Sequence, residues 1–136
     1  MSKLLARLRD PARSGVYRAS TAQTIEEATR SGGLDVVRID AAGGTVFEAM
    51  ARALHFPAWF GGNWDALEDC LSDLSWREGD GRVLLLLRAP TGEALGTLID
   101  VLSSAAQYWA GRGRPFFAVF VDAERKLALP DLYRDA

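Results

Sequence analysis

Two uninterrupted apolar runs, Val83–Leu87 and Phe116–Val121, restrict this chain more than any other feature. A strand with one face in water alternates apolar and polar residues, because successive side chains point to opposite sides. A run without alternation fits a strand covered on both faces, as in a parallel sheet enclosed by helices. Between the runs lies Glu93–Ala110, in which Leu95, Leu98, Ile99, Leu102, Ala106 and Trp109 share one helical face. Gly111 is placed to stop that helix. Strand, helix, strand in this order calls for a crossover, right-handed because of the sheet twist.

The rest of the chain continues the alternation. Gly15–Ala19 reads as a short first strand and Val36–Asp40 as a second. Between them Thr24 is placed to cap a helix, with Glu27 three residues on and Ser31-Gly32-Gly33 as its stop. After Gly43-Gly44, Thr45-x-x-Glu48 is another capping box. Phe47, Met50, Ala51 and Leu54 follow at helical spacing, and Pro57 closes that helix. Asn63 is a good N-cap for a helix over Trp64–Trp76, with Leu67, Cys70, Leu71 and Leu74 on one side. The expected class is α/β: a small parallel β-sheet of three core strands and an extra N-terminal edge strand, packed with helices. At 136 residues the chain is sized for a single domain, 1–136. Two consecutive helices, about 45–55 and 64–75, between the second and third strands are unusual for a simple doubly wound fold. The pair is expected to do more than connect strands.

Several function classes drop out on composition. One cysteine, Cys70, and one histidine, His55, exclude a disulfide framework and a zinc site of cysteines and histidines. A lone thiol suits a reducing, cytoplasmic compartment. Both apolar runs are too short to cross a bilayer, and the start, with Leu4, Leu5 and Leu8, reads as a short docking helix, not a secretory signal. The net charge of −2 argues against a basic nucleic-acid binder. Gly43-Gly44 reads as a turn more readily than as a phosphate cradle, and Arg112 and Arg114 as solvated turn residues.

The charge distribution is more informative than the total. At about 100° per residue, Asp65, Glu68, Asp69, Ser72 and Asp73 fall on one side of their helix, opposite Leu67, Cys70, Leu71 and Leu74. Like charges four residues apart, as in Asp65/Asp69, cost about 0.2–0.5 kcal/mol per pair. No lysine or arginine on that face compensates them, and Trp59 and Trp64, both expected to be exposed, stand just before it on a glycine-containing loop. Carboxylates beside aromatics resemble, chemically, phosphates beside stacked bases. A protein that binds phosphodiesters keeps a basic groove with stacking surfaces, and this patch is its complement. Read instead as a general acid/base pair, Asp65 and Asp69 lack a nucleophile and oxyanion donors, and a convex helix face makes no pocket. A Mg2+ site with Asp73 meets the same objection. The expectation is therefore no enzyme, no cofactor and no metal.

The run Phe56-Pro57-x-Trp59-Phe60-Gly61-x-Asn63-Trp64-Asp65-Ala66-Leu67-x-Asp69-Cys70-Leu71 resembles the signature of the barstar family, intracellular inhibitors of the secreted ribonuclease barnase and its relatives. The resemblance covers about Val36 to Asp122. It implies a barstar-like fold and an inhibitor that plugs a ribonuclease active site with the second helix of the pair and the loop before it. It further implies that Asp65 and Asp69 meet the catalytic and phosphate-binding cations and that Trp59 covers the catalytic histidine. Gly61, Asn63, Trp64 and Glu68 match other contact positions, and Asp73 extends the acidic face. Glu68 stands where the family prototype has an aromatic, and Gln107 where it has an acid. Residues 1–35 have no counterpart there and are expected to add a strand and a helix at the sheet edge. The implied partner is a secreted or delivered ribonuclease, bound by a cytoplasmic protein that is a monomer when free, with no direct nucleic acid and no membrane. The alternative is an immunity, antitoxin or regulatory module with a non-ribonuclease target.

Residues 59–80 hold six acids (Asp65, Glu68, Asp69, Asp73, Glu78 and Asp80) against Arg77 alone, a local charge of −5. The remaining fifteen bases and twelve acids leave +3 elsewhere. A basic partner is steered by such a field. Its association rate, to about 10⁸ M⁻¹s⁻¹ or above at low salt, is expected to fall steeply with ionic strength in stopped-flow mixing; a flat series contradicts steering.

Overall fold

The computed structural model describes residues 3–41 and 45–133. In chain order the elements are α1 (Lys3–Leu8), a 3-10 turn (Pro11–Arg13), β1 (Gly15–Ala19), α2 (Ala22–Thr29) and β2 (Asp35–Asp40). Then come α3 (Val46–Leu54), α4 (Trp64–Leu71), β3 (Arg82–Arg88), α5 (Glu93–Ala110) and β4 (Phe116–Val121). The four strands form one all-parallel sheet in the order β1-β4-β3-β2. The expected α/β class holds, with Gly15–Ala19 as the added edge strand beside β4.

The two apolar runs are the central strands, and their pleat explains them. Leu84 and Leu86 of β3, with Phe116, Ala118 and Phe120 of β4, join one apolar cluster with Met50, Leu54, Leu67, Leu71, Leu98 and Leu102 from α3, α4 and α5. Val83, Leu85, Phe117 and Val119 point the other way, to Leu8 of α1, Ala22 and Ile25 of α2, and Leu132. Both faces are thus buried, so no polar residue interrupts either run.

The N-terminal segment does more than was expected of it. Its strand is at the sheet edge, but α1 and α2 lie over the second face, which would otherwise meet water. After β4 the chain returns beside β1. Arg18 N–H donates to the Pro130 carbonyl (2.9 Å), and Leu132 N–H to the Arg18 carbonyl (2.9 Å). The Arg18 side chain donates to Asp131 Oδ1 (2.8 Å) and to the Leu127 carbonyl (2.7 Å).

Three helix boundaries differ from the sequence reading. Thr21, not Thr24, caps α2, accepting from Thr24 N–H (3.4 Å). α3 stops at Leu54, before Pro57 can act, because His55 takes the left-handed conformation (φ 55°, ψ 50°). α4 ends at Leu71, not near Trp76: the fully buried Leu74 sits at φ 52° and turns the chain toward β3. α5 has the expected bounds, although the left-handed residue after it is Gly113 (φ 74°), not Gly111. Gly43-Gly44 lies outside the described residues.

Ile25 is fully buried against the second face of the sheet. Ile25→Ala is expected to lower unfolding stability by about 2–5 kcal/mol in a denaturant titration. An unchanged midpoint would show that α2 is an appendage.

Candidate functional site

The site is built on α4 and the turn before it. Asn63 caps the helix, its Oδ1 accepting from Ala66 N–H at 2.8 Å. Leu67, Cys70 and Leu71 are fully buried, which fixes the rotation of α4 about its axis. That rotation leaves Asp65, Glu68 and Asp69 exposed on the outer side. None of the three forms a salt bridge among the described residues. Asp65 lies in the first turn, where the helix dipole favours a negative charge.

Asp73 belongs to a different setting. With α4 closed at Leu71, Asp73 falls in the following turn and its Oδ1 accepts from Ser75 N–H (3.3 Å). It is exposed but does not extend the helix face, contrary to the sequence reading. Gln107 is exposed on α5, which packs beside α4.

The aromatic lead-in separates by burial. Phe60 N–H donates to the Pro57 carbonyl (3.0 Å), closing a turn with Trp59 at its third position. Phe60 packs edge-on to Phe56 (4.8 Å), and Phe56 edge-on to Trp76 (6.1 Å). Those inward rings leave Trp59 facing solvent, 63% exposed. Trp64, expected to be exposed, is half-buried, edge-on to Phe47 of α3 (4.8 Å). A ring on the first residue of an amphipathic helix serves the core as readily as the surface. Gly61 and Gly62 are both exposed; Gly62 is at φ 68°, where a side chain would be strained.

Two indoles, singled out by no sequence motif, hold this arrangement. Trp76 Nε1–H donates to the Leu54 carbonyl (2.9 Å) at the end of α3. Trp109 Nε1–H donates to the Leu71 carbonyl (2.7 Å) at the end of α4. Helix ends carry carbonyls without intrahelical partners, and each indole takes one of them. The signal in the sequence was weak: a tryptophan near the end of an apolar stripe marks packing but not its polar partner.

Burial, with the nearby carboxylates of Asp73 and Asp69, pushes the Cys70 thiol above its ordinary value. It is a packed, protonated side chain and not a nucleophile. Among the described residues no group of three or more histidine, cysteine, aspartate or glutamate side chains could hold a metal ion. Among them, too, no helix is long and apolar enough to cross a membrane.

Trp109→Phe keeps an aromatic ring at this position, though a smaller one, and removes the donor to Leu71. The unpaired carbonyl is expected to cost about 1–3 kcal/mol in unfolding stability. Hydrogen exchange should show the loosening first in the last turn of α4; uniform loss across the sheet would contradict a local tie.

Comparison with known families supplies the context for this geometry. A family model described as Barstar (barnase inhibitor) matches residues 34–121, well over half of the chain. The matched span runs from just before β2 to the end of β4 and includes α4, its lead-in loop and α5. The first strand, the two N-terminal helices and the segment that returns beside β1 after β4 fall outside it. Searches among curated proteins and among solved structures find no match. The family is one of inhibitor domains and not of enzymes. From its apolar strand pair to its aromatic loop and acidic helix, this chain belongs to the barstar family.

Proposed function

We propose that the chain is a stoichiometric inhibitor of a barnase-like ribonuclease and blocks its active site with α4 and the loop before it. The observation that carries this reading is a row of three exposed carboxylates, Asp65, Glu68 and Asp69, without ion pairs among the described residues and in the same segment as the exposed Trp59. An enzyme that cleaves RNA must present cations to phosphates and flat surfaces to bases. A rigid helix that offers carboxylates and an indole meets both demands while giving the enzyme no phosphodiester to cut.

Each residue has a role in this reading. Asp65 and Asp69, one turn apart, anchor to cations in the catalytic groove. Trp59 provides apolar cover over the catalytic residues. Glu68 adds a third charge to the same face, and Asp73 and Gln107 contribute from its margins. Asn63 and Trp64 act mainly by holding the helix, through its cap and through Phe47. Gly61, without a side chain, lets the enzyme approach the loop. The protein works as a cytoplasmic monomer that neutralises enzyme still inside the producing cell. Two charged groups that lose water together need close partners, because an unpaired buried charge is costly. The rigidity of α4 therefore contributes as much as its charge: the carboxylates are positioned before the enzyme arrives.

The deciding experiment uses the chain as bait in its source cell, followed by an RNA-cleavage assay of the captured protein with and without it. Capture of a protein without ribonuclease activity would favour a regulatory or immunity role with another target. Against the captured ribonuclease, Asp69→Ala is expected to weaken binding by about 2 kcal/mol or more, roughly thirtyfold. Folding should persist, with stability equal or slightly raised by the loss of like-charge repulsion. Unchanged affinity in a calorimetric titration would remove Asp69 from the anchor role.

A further inference from the structure

The turn Gly111–Arg114 carries two arginines that the α4 reading leaves unused, and the structure separates them. Arg114 is a tie within the molecule. It donates to the Gly79 carbonyl, and its guanidinium lies 5.6 Å from the centre of the Trp109 ring. Arg112 forms no ion pair and no side-chain hydrogen bond among the described residues. Its guanidinium instead lies 4.3 Å over the centre of the Tyr108 ring. Tyr108 is 38% exposed, and it and Trp59 are the two exposed large hydrophobic side chains among the described residues.

We propose that Tyr108 and Arg112 form a second, cationic element of the partner interface, one that takes a carboxylate on the rim of the ribonuclease cleft. This rests on the reading of α4 given above. Continuity with α4 is the first support. Tyr108 stands edge-on to Trp109 at 5.2 Å, and the Trp109 indole is bonded to the Leu71 carbonyl. The Tyr108 ring is therefore fixed relative to the last turn of α4, where Ser72 N–H donates to the Glu68 carbonyl (3.0 Å).

The second support is chemical. A guanidinium stacked on a ring keeps its N–H edge free for a planar two-oxygen acceptor. Its side chain has already lost freedom, so less is lost on binding. Arginine only donates, so the group it takes is an acceptor, and a charged one gives the stronger bond. A nucleic-acid phosphate would satisfy the same donors. The local charge of −5 over residues 59–80 repels a polyanion, however, and favours a single carboxylate on a surface that is otherwise basic. The interface would then carry both signs: carboxylates on α4 for cations of the cleft, and Arg112 for an acid at its edge. Opposite charges at two places fix the orientation of docking and exclude enzymes with a basic rim there.

The test uses the full chain and the ribonuclease that the wild-type protein inhibits, with affinity read from inhibition of RNA cleavage at one fixed salt concentration. Arg112→Ala and Tyr108→Ala are each expected to weaken binding about tenfold, and Arg112→Glu about a hundredfold. Tyr108→Phe should bind like the wild type, because the ring remains. The thermal midpoint of Arg112→Ala should not move. Equal affinity of Arg112→Ala and Arg112→Glu with the wild type overturns the proposal, and so does tighter binding by Arg112→Glu. A single-stranded RNA oligonucleotide that loses affinity for Arg112→Ala while the enzyme does not would reassign the pair to nucleic acid. If the wild-type chain inhibits no ribonuclease, the α4 reading fails before any variant is made, and this proposal fails with it.

Discussion

The buried guanidinium of Arg82 is the constraint on which the geometry of this molecule turns. It stands at the start of β3, 6% exposed. It donates to the carbonyls of Glu78 (2.8 Å), Arg77 (3.2 Å) and Leu74 (3.3 Å), and lies 3.3 Å from Asp35 Oδ2. Arg77 grips the same Asp35 through two bonds of 2.6 and 2.9 Å. Burial pushes the proton affinity of Arg82 down, and the charge of Asp35 opposes that shift. A buried charge persists where its donors are matched, and here several of its acceptors are carbonyls of one turn. A single side chain thus ties the path from the end of α4 into the sheet at several points. Gly79, at φ 129°, leaves room for it, since a Cβ there would stand 3.1 Å from Arg82 Nη1 and 3.0 Å from Asp35 Cβ.

That turn, the two indole bonds and the fully buried face of α4 together make a rigid mount for a helix whose outer face is electrostatically unfavourable on its own. Asp65 and Asp69 repel one another, and no cation on α4 itself relieves them. Fold stability would be served by a lysine in that row. Its absence is consistent with a surface arranged for a cationic partner, with the strain carried by the scaffold. The same logic separates the tryptophans. Trp76, Trp109 and Trp64 spend their rings on the core or on helix ends, and Trp59 alone is left to solvent.

Much of the fold was legible in the chain because its signals are local. The runs in β3 and β4 report burial on both faces, and Asn63 and Thr45 announce their helices through one side-chain acceptor each. What escaped depended on contacts distant in sequence. The early stop of α4 arises because burying Leu74 outweighs the strain of its positive φ, which no propensity foretells. Asp73 left the acidic face for that reason. Trp64 looked exposed because the ring of Phe47, on another helix, is invisible from its own segment. The role of α1 and α2 was misplaced because a segment's own pattern shows that it has an apolar side but not which surface that side will cover.

Residue order alone settles the layered parallel architecture, the family and the identity of the acidic and aromatic segment, since each follows from periodicity or from a contiguous motif. Three dimensions settle which members of that segment face outward and where its helix ends. Those outcomes depend on the indole of Trp109, the guanidinium of Arg82 and the ring of Phe47, which reach their partners only once the sheet has brought distant segments together. A motif specifies chemistry along the chain; exposure is a property of what packs against it.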